Sequence, residues 1–285
     1  MIVGDWSGNL FRVRLSPCVV TRTAFVAGKL LGEMPINNTL SSLSTAPGES
    51  FRCAVATRGT HAAVWNSDGD RVDHAVPEDG PVHSVAWLDG EHLLLGTGKY
   101  SLGSGARQQA RIEVWTMDGS EPSCAERVAL PGTCVDAMAV SEDGPHQIVA
   151  FSGMKSQSQG FMSVLDATSL VTKAVVDLPF AMVGRVECTE ELILVCNDGA
   201  VRAISREDGI EKWCHKTAGE STDFAYDIDA QQLLLPSGEL ISVGRGRVVE
   251  KWPILDKCCC LRPRPGGGFV GVSKTGMIGV WEVES

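Results

Sequence analysis

The sequence predicts an all-β repeat protein, and three observations carry that prediction. Short apolar segments ending in a large side chain recur after a Gly or polar turn: NLFRV (9–13), HAAVW (61–65), RIEVW (111–115), FMSVL (161–165), AVRAI (200–204), ELISV (239–243) and MIGVW (277–281). Their last residues, Val13, Trp65, Trp115, Leu165, Ile204, Val243 and Trp281, lie 52, 50, 50, 39, 39 and 38 residues apart. Between these markers the chain alternates short apolar runs with polar, Gly-rich turns, and no helical period extends over a meaningful length.

One repeat shows how its elements follow from the residues. VHSVAW (82–87) alternates and stops at Leu88-Asp89-Gly90. HLLLGT (92–97) is a second apolar run, RIEVW a third, and CAERVAL (124–130) follows the turn at Asp118-Gly119. Four strands of five or six residues with tight turns fill a period of about 39. Repeats of this size, each a four-stranded antiparallel sheet, are the signature of a β-propeller in which each repeat is one blade. Seven third strands predict seven blades within one domain, 1–285, with six blades the alternative. Ahead of Val13 there is room for a second strand and not for a first, and after Trp281 no fourth strand fits. The first and last blades are therefore expected to be incomplete.

GPVHSVAWLDGEHLLLGTG with RIEVW (80–98, 111–115) resembles a blade of the WD-repeat family, as do GDWSGNLFRV (4–13) and KTGMIGVWEV (274–283). None of the third strands ends in Trp-Asp and no Gly-His precedes the first strands, so the family's buried His-Asp-Ser-Trp network does not carry over. GAVRAISREDGIEKW (199–213) is more similar to a quinoprotein-type blade, a resemblance that implies a blade-docking role for Trp213. Likeness at this level speaks to fold, and function must come from the sites.

The residues in excess of the basic period fall in particular connections. With strands a to d in each blade, b–c turns and d–a links share one face of a meander. AGKLLGEMPINN (27–38) is a d–a link, and GKYSLGSGARQQA (98–110) and GMKSQSQG (153–160) are b–c connections. All three map to one face. The other face carries short turns such as Asn66-Ser67-Asp68-Gly69 and Arg206-Glu207-Asp208-Gly209, which only reverse the chain. Loops longer than closure requires are where binding usually resides. The candidate partner-binding residues on this face are Trp6, Arg58, Lys99, Tyr100, Arg107 and Lys155, types enriched at binding hot spots or positively charged in an acidic chain.

Composition narrows the partners. Lys plus Arg number 25 against 35 Asp plus Glu, a net charge of −10. Without a basic cluster, neither nucleic acid nor an anionic membrane is an expected partner. There is no apolar stretch long enough to span a bilayer and no secretory leader pattern at the start. Cys53, Cys134, Cys188 and Cys196 sit in apolar runs, read as reduced, buried thiols of a cytoplasmic protein. In Cys258-Cys259-Cys260 strand alternation would turn Cys259 away from its neighbours. The run lacks the paired spacing of a zinc site, so core packing is expected, with neither metal nor cofactor. His61, His74, His83, His92, His146 and His215 are scattered, and no nucleophile elbow, P-loop or dinucleotide fingerprint is present. Trp65, Trp115 and Trp281 at blade spacing are expected to pack between adjacent blades.

These features favour a non-catalytic protein-interaction scaffold or adaptor that binds a protein or peptide. An incomplete terminal blade is in addition open to strand addition. A propeller enzyme of lactonase or quinone-dependent dehydrogenase type, and a small-ligand sensor at the central channel, are the alternatives.

Overall fold

A computed structural model describes residues 2–4, 9–15, 18–25, 42–47, 52–56, 61–66, 71–78, 81–98, 109–118, 121–141, 146–154, 159–181, 183–197, 199–217, 223–264, 267–275 and 277–281; for 2–25, 71–72 and 154 it describes the backbone alone. Every element named below is a strand. The chain divides into two compact units, Met1–Val140 with Gln147–Ala181, and Ser141–His146 with Met182–Ser285.

In the first unit, β1 (Ile2–Gly4), β2 (Asn9–Leu15) and β3 (Cys18–Phe25) form a three-stranded sheet. Three four-stranded sheets follow. They are β4 (Ser42–Thr45), β5 (Arg52–Ala56), β6 (Ala62–Asn66) and β7 (Arg71–Ala75); β8 (Val82–Trp87), β9 (His92–Thr97), β10 (Arg111–Thr116) and β11 (Ser123–Ala129); and β12 (Cys134–Val140), β13 (Gln147–Met154), β14 (Gln159–Asp166) and β15 (Thr172–Leu178). The second unit holds β16 (Val183–Cys188), β17 (Leu192–Asn197), β18 (Ala200–Ser205) and β19 (Glu211–Lys216), then β20 (Ala225–Asp227), β21 (Gln232–Leu234), β22 (Glu239–Ser242) and β23 (Arg247–Lys251), and finally the three-stranded sheet β24 (Cys258–Pro263), β25 (Phe269–Ser273) and β26 (Ile278–Trp281). In every sheet the strands pair antiparallel in chain order.

The expectation of seven blades is corrected to its alternative, six. Six blades run from Ser42 to Trp281, five of four strands and the last of three, and the sheet of β1 to β3 that precedes them has three strands. The described residues of 1–25 form three strand segments, and those after β25 form one.

Packing explains the apolar runs. Successive side chains on a strand point to opposite faces, so a strand covered on both faces is apolar throughout. Leu93 and Leu95 join Ala62, Val64 and Trp115 in a cluster shared by the second and third sheets. Leu94, between them, joins Ile112, Val135 and Ile148 in a cluster shared by the third and fourth. Leu233 and Leu235 likewise face Leu194 and Ala203, while Leu234 faces Leu261 and Phe269. Each such leucine contributes roughly 1.5–3 kcal/mol of burial. Trp115 packs between neighbouring sheets as expected, and so does Trp281, which is only partly buried.

A one-residue bulge recurs. Between first and second strands it falls at His83, Asp136, Gly184 and Cys259. A bulge re-aims the side chains beyond it. Strict alternation in the cysteine run is therefore corrected: Cys259 is the bulged residue, Cys258 is buried, and Cys259 and Cys260 are half-buried.

The short turns are closed by aspartates. Asp89 Oδ1 accepts the N–H groups of Glu91 and His92, both at 2.7 Å, and its Oδ2 lies 2.8 Å from His92 Nδ1. Asp166 accepts from Thr168 and Ser169 and pairs with Lys173 at 2.6 Å. Asp208 accepts from Ile210, next to Gly209 at φ 69°. All three carboxyls titrate below the ordinary 3.8. At Asp89 burial pushes the value up and the Glu91 and His92 hydrogen bonds more than reverse it. Lys173 is the main cause at Asp166, and the Ile210 N–H at Asp208. A carboxyl depressed in the folded state supplies stability that is complete above its unfolded value and is lost as the pH falls through the folded one. The difference in melting temperature between the wild type and Asp166→Asn is thus expected to stay constant above about pH 5 and to narrow progressively as the pH falls below about 4. A pH series of thermal melts checks this.

Candidate interaction face

The six residues singled out from sequence, Trp6, Arg58, Lys99, Tyr100, Arg107 and Lys155, lie outside the described residues, as does the 27–38 segment. The bases of the other two insertions are described. β9 and β10 pair up to Thr97 opposite Arg111, and Gly98 bridges to Cys134 at the start of β12. Thr133, beside it, donates its N–H and its hydroxyl to Gly153 O, at 3.1 and 2.9 Å. The chain from Gly98 through Cys134 to Gly153 therefore brings the bases of the 98–110 and 153–160 connections to one end of two neighbouring sheets. The second connection is shorter than its sequence suggested. Gly153 and Met154 pair with Gly160 and Gln159, so the strands extend and only 155–158 joins them.

Local sequence makes this base rigid. A Cβ on Gly98, at φ 141°, would lie 2.2 Å from Thr133 O, and one on Gly96 would lie 2.1 Å from Ser84 Oγ. Only glycine permits so close an approach of strand to strand. The Gly-Thr-Gly at 96–98 was the available signal. The bulged His83 sets its Nε2 2.9 Å from Gly98 O, Cys134 Sγ donates to Asp136 Oδ1 at 3.4 Å, and Ser152 Oγ donates to Pro131 O at 2.6 Å. Ala110 donates its N–H to Gly132 O at 3.1 Å. His83 and Asp136 thus each touch the bridged Gly98–Cys134 pair, one through Gly98 O and the other through Cys134 Sγ.

The opposite end of the same unit is held by a residue that sequence reading missed. Arg52 Nη1 donates to Gly90 O at 2.7 Å, its second terminal nitrogen donates to Met117 O, and the guanidinium stacks 4.8 Å over Trp87. One side chain thereby joins two turns of the neighbouring sheet. Elsewhere in this unit Glu113 is fully buried; it accepts from Trp115 Nε1 at 3.0 Å and lies 3.5 Å from Arg127 Nε, whose other end reaches Glu78 at 3.2 Å. An open depression lined by Glu78, Trp115 and Arg127 runs beside this chain of charges.

In the second unit a charged network joins adjacent sheets. Asp223, 7% exposed, accepts the N–H of Leu261 at 2.9 Å and Arg262 Nη1 at 2.9 Å, and lies 3.5 Å from Arg185 Nη1. Arg185 also contacts Glu187 and sits 5.5 Å over the Phe224 ring. Burial alone would lower the Arg262 value, and the Asp223 charge beside it more than offsets this. Trp213 takes the docking position that its motif implied: Nε1 donates to Val243 O at 2.7 Å, and the ring covers Gly246.

The nine cysteines with described side chains are free thiols. Burial pushes Cys53 and Cys188 up to about 12 and Cys258 and Cys260 up to about 11. They are held protonated, the form that neither attacks nor ligates. Among the described residues no group of His, Cys, Asp and Glu is placed to hold a metal ion, and no helix is long and apolar enough to cross a membrane.

Solved structures share this architecture. The beta-propeller domain of Cps50 (Swd1) from Myceliophteria thermophila superimposes with a TM-score of 0.71 at 13% identity, over 99% of this chain and 93% of that one. Repeated four-stranded antiparallel sheets of this kind define a β-propeller, and the likeness shows that fold for this chain. No family model and no curated protein matches the sequence.

Proposed function

We propose that residues 1–285 form a single propeller domain that acts as a non-catalytic scaffold or adaptor. Its partner, a protein or peptide, binds the face carrying the 27–38, 98–110 and 153–160 connections. The observation that supports this most is the locked base beneath two of them, where Gly98, Cys134, Thr133 and Gly153 tie neighbouring sheets together. A rigid platform under long connections lowers the ordering cost of binding. Trp6, Arg58, Lys99, Tyr100, Arg107 and Lys155 are the contact residues of this reading, with the basic ones suited to an acidic stretch of the partner.

The test is recovery of the untagged protein from its native host, with and without the triple substitution Lys99→Ala, Tyr100→Ala, Arg107→Ala. A co-purifying protein is expected with the wild type and is expected to fall at least tenfold with the variant at unchanged melting temperature. Recovery as a monomer in both cases would remove the scaffold reading.

A further inference from the structure

Glu113 carries a charge where packing alone does not call for one. It is 0% exposed in β10, two residues ahead of Trp115. The equivalent positions of the second, fourth and sixth sheets hold Ala63, Ser163 and Ile241, each fully buried, and Arg202 of the fifth stays partly exposed. A buried carboxylate is costly unless its oxygens are bonded. Glu113 Oε2 accepts from Trp115 Nε1 at 3.0 Å, but among the described residues no hydrogen bond reaches Oε1. Arg127 Nε stands 3.5 Å from it, while Arg127 Nη1 goes to Glu78 at 3.2 Å.

Both oxygens of Glu113 therefore face residues that line a cleft between the second and third sheets. The cleft has a volume of about 730 Å³. Val76 and Glu78, which follow β7, form one wall, and Trp115, Cys124, Glu126 and Arg127 form the other. Pockets of this size hold a small ligand or several side chains. Register puts the buried carboxylate and that second wall together, because β11 sets Cys124 opposite Trp115 and Arg127 opposite Glu113. The local charge is negative: Glu78, Glu113 and Glu126 stand against Arg127 alone.

We propose that this cleft takes the guanidinium of an arginine on an extended segment of a protein partner, with Glu113 Oε1 as its buried acceptor. The incoming fork donates to Oε1 and lies against the Trp115 ring, and Arg127 stays with Glu78. A planar fork fits a carboxylate and stacks on an aromatic face, which a lysine ammonium does not do. The fold's own Arg127 already holds a guanidinium beside this carboxylate, without completing the hydrogen bond. None of the lining residues belongs to the 27–38, 98–110 or 153–160 connections, so this site stands apart from the proposed interaction face.

Nuclear magnetic resonance of the full chain, read at the Trp115 indole N–H, tests this with capped Ala-Arg-Ala and its neutral isostere Ala-citrulline-Ala. The arginine peptide is expected to shift that resonance saturably in the millimolar range, and the citrulline peptide to bind at least tenfold more weakly. Capped arginine alone is expected to bind at least threefold more weakly than the peptide. Glu113→Gln keeps an acceptor for Trp115 Nε1 and is expected to weaken binding at least tenfold. Arg127→Met removes the internal competitor and is expected to tighten binding at least threefold. It also strands the Glu113 charge, so the peptide is expected to raise its melting temperature more than that of the wild type. Glu78→Gln, on an exposed side chain, takes away the alternative partner of Arg127 and is expected to weaken binding about threefold; it decides the matter if Glu113→Gln does not fold. The Lys99, Tyr100, Arg107 triple variant is expected to bind like the wild type, so this proposal and the scaffold reading fail separately. The proposal is overturned by no saturable shift, by equal binding of arginine and citrulline peptides, by capped arginine binding as tightly as the peptide, or by a folded Glu113→Gln or Glu78→Gln protein that binds like the wild type.

Discussion

Trp213→Ala is expected to cost about 3 kcal/mol, the lower end of the range for removing a packed tryptophan, because the ring is half-buried. In a chain of this length that corresponds to a fall of roughly 6–12 °C in melting temperature. Two contributions add up to the loss. The ring fills the space above Gly246 beside Phe224, Leu233 and Val243, and its N–H satisfies Val243 O. Trp213→Phe separates them: it keeps most of the apolar contact and loses only the hydrogen bond, about 1 kcal/mol. Gly246→Ala attacks the same contact from the other side. Its Cβ would lie 2.4 Å from Trp213 Cγ, at a φ of 62° that L side chains rarely adopt. With the tryptophan already removed, the steric part of that cost disappears, so the double variant is expected to be less destabilised than the sum. Denaturant unfolding of the four proteins reads the coupling, and strict additivity would show that ring and glycine do not meet.

Asp223→Ala is expected to be of similar size, about 3 kcal/mol. Breaking one partner of a buried ion pair leaves the other charge uncompensated. Here Arg185 and Arg262 would share a pocket with the Glu187 carboxylate alone, and the Leu261 N–H would lose its acceptor. Arg262 is 38% exposed on its side chain, and water reaching it holds the cost at the lower end of the range. Asp223→Asn keeps an oxygen for Leu261 N–H and is expected to lose less than alanine. Adding Arg262→Met to Asp223→Ala is expected to restore part of the stability, because it removes the orphaned charge. Urea unfolding of the single and double variants measures this, and an alanine variant as stable as the wild type would show that the carboxylate joins nothing.

How much of this was legible depends on distance along the chain. Strand positions follow from the spacing of marker residues such as Trp65 and Trp115, and both faces of HLLLGT had to be covered because Leu93, Leu94 and Leu95 are all apolar. The turns at Asp89 and Asp208 could be read because an aspartate caps N–H groups two and three residues ahead. The docking role of Trp213 came from its motif. Glu250-Lys251-Trp252 repeats Glu211-Lys212-Trp213 at a spacing of 39 and could have placed Trp252, whose ring lies 5.9 Å from Phe269, in the same way.

Folding alone determined which polar residues meet. Asp223 finds Arg262 39 positions away, Arg52 finds Gly90 38 positions away and Met117 65 positions away, and Gly98 meets Cys134. The separations of 39 and 38 equal one repeat, but which polar side chains meet across it is set by how adjacent sheets stack. The bulges at His83, Asp136 and Cys259 had no local marker either, since an extra residue in one strand is defined only against its partner. Local periodicity and turn chemistry act within a few residues and therefore specified the strands, the turns and the all-β class of this protein. Contacts between sheets depend on register and stacking across dozens of residues, so the Gly98–Cys134 base of the insertions and the charged network at Asp223 took shape only in three dimensions.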